Sequence, residues 1–192
     1  MEEDELGGRE SEESLRSCDY WRLESDLSQA KTDQVLAVLH RPEILDPLEK
    51  MPLSSISILR LRDPRISAFY TYEERSIALN SGRKRGVHFG GEFQPGSSRN
   101  MSWATTDGIE SIRRALLHEV AHHFEAFDEA ASLMQAGFAS PGKRPITRYA
   151  GTGWREYFAE SFVAHFVEPD ALSRHDPNGS MMVRKVLAAT RK

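Results

Sequence analysis

Two histidines one helical turn apart are the residues of this sequence best suited to chemistry. His118 and His122 enclose Glu119 in the string His-Glu-Val-Ala-His. Side chains four residues apart in an α-helix lie on the same face, so the two imidazoles can converge on one ion. Neutral imidazole is a good ligand for Zn²⁺, and a neighbouring carboxylate can take a proton from a metal-activated water. The spacing therefore predicts a Zn²⁺ site with Glu119 as general base.

A helix predicted over residues 109–127 must position these groups. Apolar residues recur along one of its faces with a 3.6-residue period, namely Ile109, Ile112, Leu116, Val120, Phe124 and Phe127. The two ligand histidines lie on the far side, whereas His123 projects within the apolar stripe and is interpreted as a packed core histidine. Asp107 and Glu110 have the spacing of an N-terminal capping box.

A second strong helix is predicted over residues 154–167 and offers a third ligand. It begins Trp-Arg-Glu-Tyr-Phe-Ala-Glu-Ser-Phe, so that Glu156 and Glu160 lie one turn apart on one face. A catalytic zinc site uses three protein ligands and keeps one position open. Both glutamates are candidates for the third ligand, and each is also explained as a surface or ion-paired carboxylate.

Taken together, the two helical motifs and Tyr149 resemble the zincin peptidases that use glutamate as third ligand. The resemblance is strongest to the branch that contains the anthrax lethal factor catalytic domain and the Pro-Pro endopeptidases. Similar domains occur in phage head-associated proteins and bacterial toxin modules. The resemblance covers roughly residues 66–168. The 33 residues between His122 and Glu156 are a short connection for this branch.

The resemblance implies a role for each matched residue. Glu156 would be the third Zn²⁺ ligand, and Glu160 would accept the other N–H of a ligand histidine. Tyr149, seven residues before the ligand glutamate, would stabilise an oxyanion. Glu125 lies where the branch has an acidic residue, although an exposed helix glutamate explains it equally well.

We expect an α+β, zincin-like fold in which a small twisted sheet packs on the metal-binding helix and the glutamate-bearing helix. Strands are predicted at residues 56–61, 66–72 and 76–80, the last two as an antiparallel hairpin, with a further short strand at 87–89. The function that follows is a zinc-dependent endopeptidase, with its protein or peptide substrate added as a strand at the sheet edge.

The flanking segments are predicted from composition. Residues 1–14 are acidic, with Leu6 as the only apolar residue after Met1, which is typical of a disordered tail. Residues 15–192 are expected to form a single domain that begins with a helical part at 15–55, containing helices at 14–40 and 43–51.

Two further predictions concern the region after the metal helix. The stretch 128–153 is rich in Gly and Pro and is predicted to be irregular. A short helix is expected at 181–189 near the end of the chain.

Charge and hydropathy narrow the function classes. A net charge of -4 without a long Lys/Arg block argues against nucleic acid as the main partner. No apolar run reaches a membrane-spanning length and no signal peptide is visible, so a cytoplasmic protein without membrane contact is expected. Two alternatives stay open: a non-catalytic, zinc-stabilised assembly or binding module, and a toxin or effector protease with a host target. Oligomeric state is not indicated.

Overall fold

A computed structural model describes residues 16–18, 21–63, 66–82 and 108–191. Over these residues the chain is α+β, with a five-stranded sheet and seven α-helices. The strands are β1 (Arg16–Cys18), β2 (Trp21–Ser25), β3 (Ser55–Leu59), β4 (Ala68–Thr71) and β5 (Ser76–Asn80). The helices are α1 (Gln29–Leu36), α2 (Pro42–Lys50), α3 (Gly108–His123), α4 (Asp128–Ala139), α5 (Trp154–Val167), α6 (Pro169–His175) and α7 (Pro177–Arg191).

The sheet is mixed, with the strand order β1-β2-β3-β5-β4. The three central strands β2, β3 and β5 are parallel, and the edge strands β1 and β4 are antiparallel to their neighbours. The predicted antiparallel hairpin is therefore confirmed as β4 and β5, and the strand predicted at 56–61 is confirmed as β3. The turn between β4 and β5 contains Arg75 with a φ of 51°.

Alternation along the central strands creates one buried face of the sheet. The buried side chains are every second residue, namely Trp21, Leu23, Ile56, Ile58, Ile77 and Leu79. Helix α3 packs beside β4 and β5 and also contacts α5. The buried apolar residues of the sheet and of the helices belong to one cluster. Helix α3, which carries His118 and His122, is therefore packed between the sheet and α5, which carries Glu156 and Glu160.

Aromatic packing sets how α3 and α5 lie against each other. The ring of Phe124, directly after α3, lies 5.3 Å from the ring of Phe162 in α5. Phe158 lies one turn earlier in α5, with its ring 5.6 Å from that of Phe162. All three side chains are buried. Because protein cores are closely packed, these contacts restrict sliding of α3 past α5. They therefore keep His118 and His122 of α3 facing Glu156 of α5. The helix predicted at 154–167 is confirmed as α5. The helix predicted at 109–127 is confirmed as α3, except that the α-helix ends at His123 and a 3-10 helix follows over Phe124–Ala126.

The prediction of a helix at 14–40, and with it a helical part at 15–55, is wrong at its start. Residues 16–18 and 21–25 are strands, and the helix α1 begins only at Gln29. Trp21 and Leu23 are buried while Arg22 is exposed, which is a period of two. Pairing with β3 stabilises this short strand, and a long-range partner of that kind is not visible in local spacing.

The prediction that 128–153 is irregular is also wrong, because it contains the twelve-residue helix α4. Ala130 and Met134 are buried one turn apart, and Asp128 and Glu129 are in the first turn, where negative charge is favourable. Gly137 had suggested a break. A Cβ at this position would collide with the side chain of Met182 in α7, so this glycine permits the close approach of two helices.

The C-terminal region is more helical than expected. The helix predicted at 181–189 extends from Pro177 to Arg191, and α6 precedes it. The capping role of Asp107, the strand at 87–89 and the tail at 1–14 lie outside the described residues. None of the described helices has the length and apolar character that crossing a bilayer requires.

Candidate metal centre

Three side chains from two helices point their acceptor atoms at one another. His118 Nε2 and His122 Nε2, both on α3, are 3.3 Å apart. Glu156 Oε2, on α5, lies 3.1 Å from the former atom and 3.7 Å from the latter. These are the three predicted ligands, and the structure brings them together as the one such cluster among the described residues.

Two carboxylates bind the opposite nitrogens of the imidazoles. His118 Nδ1 lies 3.0 Å from Glu160 Oε1, and His122 Nδ1 lies 3.1 Å from Glu125 Oε1. Ionised carboxylates only accept hydrogen bonds, so Glu125 assigns the Nδ1–H tautomer to neutral His122. His118 has a carboxylate at each ring nitrogen, and it would keep its Nδ1–H towards Glu160 if Nε2 bound a metal ion. Each Nε2 then directs its lone pair into the cluster. This is the arrangement in which histidine binds a metal ion and is oriented by a second partner.

The cluster lacks a positive group at its centre when both imidazoles are neutral. Glu156 Oε2 is buried, and with both imidazoles in the Nδ1–H form no donor reaches it. Three lone pairs at these separations repel one another unless a cation lies among them. The ligand atoms of a tetrahedral Zn²⁺ ion with bonds of about 2.0–2.1 Å lie about 3.3–3.4 Å apart. The observed distances and the two-nitrogen, one-oxygen donor set therefore fit Zn²⁺.

The pKa shifts of His118 and Glu156 also indicate that a positive charge is favoured between these side chains. Burial lowers the pKa of His118, but hydrogen bonds and charge from Glu156 and Glu160 raise it well above its usual value. Burial raises the pKa of Glu156, while the two imidazoles and Tyr149 lower it overall. A proton on His118 thus compensates the carboxylates in the metal-free protein, and a metal ion must displace that proton.

Glu119 lies between the cluster and the edge of the sheet. Its side chain is buried, and this burial raises the pKa of its carboxyl, although the charges of His118 and His122 oppose the shift. The carboxylate accepts a hydrogen bond from the backbone N–H of Tyr70 in β4. A raised pKa brings a glutamate closer to the range useful for a general base.

Tyr149 borders the cluster on the His118 side. Its ring is stacked on that of His118 with centroids 5.9 Å apart, and its hydroxyl bonds Glu156. The side chain is 45% exposed, and burial followed by the charge of Glu156 raises the pKa of its hydroxyl. The predicted oxyanion donor is therefore adjacent to the candidate ligands.

His123 is a core residue, as predicted. It is fully buried, and its Nε2 lies 2.7 Å from the carbonyl oxygen of Met51, to which it must donate. Its Nδ1 then accepts a hydrogen bond from the hydroxyl of Tyr70 at 2.9 Å. Both ring nitrogens are used, so His123 has no free donor for a metal.

Three residues around His122 were not assigned to the site from the sequence. Glu125 was equally explained as an exposed glutamate, yet its side chain is only 7% exposed and bonds His122. The Tyr72 hydroxyl donates to Glu125 at 3.0 Å, and Arg155 Nε donates to it at 2.7 Å. The three-residue spacing after His122 was the available signal for Glu125. No local signal identifies Tyr72 or Arg155.

Comparison with known proteins adds nothing to this geometry. No protein-family model matches the chain, and no curated protein matches it either. Function must therefore be inferred from the site itself.

Proposed function

We propose that this protein is a zinc-dependent endopeptidase with a zincin-like fold, in which His118, His122 and Glu156 bind Zn²⁺. The observation that carries the proposal is the convergence of three ligand atoms 3.1–3.7 Å apart, with the buried oxygen of Glu156 lacking a hydrogen bond. A purely structural zinc site has no need of a base, whereas this one has the carboxylate of Glu119 beside it.

Each residue around the metal has a distinct task. When bound, Zn²⁺ supplies a Lewis acid that polarises a carbonyl and acidifies water. Glu119 takes the proton of the attacking water and passes it to the leaving amine. Tyr149 donates a hydrogen bond to the oxygen that becomes negative as the carbonyl is attacked, which favours the transition state over the substrate. Glu160 and Glu125 hold the imidazoles in their ligating orientation.

The edge strand β4 suggests how a peptide binds. Asn80 N donates to the carbonyl of Ser67, and in an antiparallel pair alternate residues point towards the partner strand. Ala68, Tyr70 and Tyr72 therefore direct their backbone groups away from β5. The N–H of Tyr70 is occupied by Glu119, and the carbonyl of Tyr72 accepts the N–H of Arg75 in the turn. The carbonyl of Tyr70, the N–H of Tyr72 and the groups of Ala68 are left for a peptide strand running past the metal.

Exposed apolar side chains accompany this edge. Of the five large hydrophobic residues exposed in the described part of the chain, Ile66, Phe69 and Tyr72 lie on or beside β4, and Tyr149 lies at the metal centre. Phe69 lies on the opposite face of the strand from Ile66 and Tyr72, so an added peptide strand would meet exposed apolar side chains on both faces. We take the substrate to be an extended segment of a protein or peptide with apolar side chains.

The test combines metal analysis with cleavage of a peptide library. The wild type, Glu119→Gln and the control Glu129→Gln, an exposed glutamate of α4, are loaded with Zn²⁺ and incubated with a mixture of unstructured peptides. We expect one Zn²⁺ per chain in all three proteins. Hydrolysis should fall by about 10²–10⁴-fold in Glu119→Gln alone, because only the base is lost.

The same experiment can refute the proposal. Zinc-loaded wild type that cleaves no peptide would favour the alternative of a zinc-stabilised binding module. Cleavage that persists in Glu119→Gln would remove that residue as base. Cleavage that survives complete removal of the metal by a chelator would exclude a zinc mechanism.

A further inference from the structure

Arg155 lies in the first turn of α5, where a positive charge does not stabilise the helix. It is the second residue of α5, directly before the proposed ligand Glu156. The N-terminus of a helix carries partial positive charge, so a cation in the first turn is unfavourable there. A contact outside the helix must therefore account for the arginine.

That contact is with Glu125, and both oxygens of this carboxylate accept hydrogen bonds. Arg155 Nε lies 2.7 Å from Oε2, while Oε1 accepts hydrogen bonds from His122 at 3.1 Å and from Tyr72 at 3.0 Å. The side chain of Glu125 is 7% exposed and that of Arg155 is 55% exposed. Arg155 thus brings a full positive charge into contact with a largely buried carboxylate that orients a candidate ligand.

Aromatic rings limit the motion of the guanidinium. Its central carbon lies 4.7 Å from the centroid of the Trp154 ring and 5.7 Å from that of Tyr72. Such stacking and the planar fork of donors distinguish arginine from lysine. The group is therefore confined in orientation as well as paired in charge.

The contact joins the three segments that form the metal centre. Tyr72 follows β4, Glu125 follows α3, and Arg155 opens α5. Fixing Arg155 on Glu125 restrains Glu156, its neighbour in the chain, relative to His122. The remaining two contacts of Glu125 keep the His122 ring turned towards the metal and tie it to the sheet edge.

We propose that Arg155 is a positioning residue for the metal centre, acting through Glu125 to hold His122 and Glu156 in their ligating geometry. This inference rests on the proposed zinc site but not on peptidase activity. Partners that orient a metal-binding histidine typically change metal affinity by about 10–100-fold when removed. The contribution of Arg155 should lie at the lower end of that range, because it acts through Glu125.

The experiment measures the affinity of the full chain for Zn²⁺ by competition with a chromophoric chelator. The variants are Arg155→Ala, Arg155→Lys, Glu125→Gln and the double variant Arg155→Ala/Glu125→Gln. Arg174→Ala, at an exposed arginine of α6, is the matched control. Co²⁺ is bound in parallel, because its visible spectrum reports coordination geometry independently of activity.

We expect Arg155→Ala to weaken Zn²⁺ binding about tenfold and to change the Co²⁺ spectrum, with Arg155→Lys intermediate and Arg174→Ala unchanged. If Arg155 acts through Glu125, the double variant should bind no more weakly than Glu125→Gln. Arg155→Ala should lower the unfolding midpoint of the metal-free protein, because a largely buried carboxylate loses its ion pair, but this protein should stay fully folded under the titration conditions.

Three results would overturn the inference. The first is a Zn²⁺ affinity of Arg155→Ala equal to that of the wild type. The second is that the losses of Zn²⁺ affinity in the two single variants add up in the double variant. The third is a metal-free Arg155→Ala protein so destabilised that its partial unfolding explains the weaker binding. If Arg155→Ala does not fold, Arg155→Lys provides the test. It must bind Zn²⁺ about threefold more weakly than the wild type, and adding it to Glu125→Gln must weaken Zn²⁺ binding no further. Wild type that binds no Zn²⁺ would overturn the proposed function as well, whereas zinc-binding wild type with unaffected variants would overturn only this inference.

Discussion

Helix α5 contributes to two polar clusters on different faces, because consecutive residues of a helix point about 100° apart. Glu156 joins the metal cluster, defined by His118, His122 and Glu156. Tyr157 joins a junction cluster, in which its hydroxyl donates to Asp176 Oδ2 at 2.6 Å. The other oxygen of Asp176 accepts the N–H of Gly179 at 3.1 Å in the first turn of α7.

The two clusters differ in how their hydrogen bonds are satisfied. In the junction cluster the Tyr157 hydroxyl and the Gly179 N–H both have Asp176 as acceptor, and Asp176 is fully buried, while the buried hydroxyl of Ser161 beside them has no hydrogen-bond partner. Burial and the hydrogen bond to Asp176 raise the pKa of the Tyr157 hydroxyl, which therefore stays protonated and donating. In the metal cluster a buried oxygen has no donor. The hydrogen bonds of the junction cluster join α5 to α7 directly and so favour a stabilising role, whereas the convergence of three acceptor atoms in the metal cluster favours ligand binding.

Removing Glu156, the proposed third ligand, should have the largest effect and should separate the two clusters. In Glu156→Ala we expect Zn²⁺ affinity to fall at least about a hundredfold, more than for loss of an outer partner. The unfolding free energy of the metal-free protein should fall by only about 1 kcal/mol, because Glu156→Ala removes the hydrogen bond from Tyr149 and the ion pair with protonated His118 at a partly exposed position. Competition titration and denaturant unfolding measure the two quantities, with Glu129→Ala as control. Unchanged zinc stoichiometry and affinity would assign the third ligand elsewhere.

Zinc itself should stabilise the fold through the metal cluster alone. At a free Zn²⁺ concentration about a hundred times the dissociation constant, the unfolding free energy should rise by about 2.7 kcal/mol. Thermal or denaturant unfolding with zinc and with chelator measures this increment. It should vanish in Glu156→Ala and persist in Asp176→Ala. An increment that survives in Glu156→Ala would mean that zinc binds at another site.

The opposite pattern is expected for the junction cluster. Asp176→Ala leaves the hydroxyl of Tyr157 without its acceptor and removes the cap of α7, so the unfolding free energy should fall by about 2 kcal/mol. Zinc affinity of the folded protein should stay within about twofold of wild type. Denaturant unfolding checks the first value against Asp170→Ala, an exposed residue of α6. A matching fall in zinc affinity would show that the two sides of α5 are coupled.

The smallest effect concerns His165, a polar residue of α5 in neither cluster. Burial lowers its pKa, and the nearby Arg184 adds to this shift, while Glu43 opposes it. The unfolded chain then takes up a proton before the folded one, so stability present above the unfolded pKa is lost as pH falls through the folded pKa.

His165→Gln should make the decline in unfolding free energy below about pH 6.5 shallower, by less than about 1 kcal/mol. The measurement is denaturant unfolding of metal-free protein across this range, compared with wild type. A steeper decline in the variant would contradict the sign of the shift.

Much of the site could be predicted because helical spacing is a local property. His118, Glu119 and His122 are brought together by one helix, and the one-turn spacing of Glu156 and Glu160 places both on one face. The hairpin of β4 and β5 could likewise be predicted from its two runs of strand-forming residues and the polar turn between them. By contrast, the strand at Trp21 and the helix around Gly137 were predicted wrongly. Strand β2 depends on β3 as its partner, and Gly137 on its contact with α7, and both partners are distant in sequence.

By itself, the sequence determined which residue types could bind a metal and which could act as base, since 3.6 residues per turn fixes neighbours within a helix. Only the tertiary structure decided that Glu156 Oε2 meets both imidazoles, that Glu125 is buried, and that Tyr72 and Arg155 converge on it. These contacts join segments far apart in the chain. They exist because packing of aromatic side chains between α3 and α5 holds the two helices in one register, and no local pattern encodes that register.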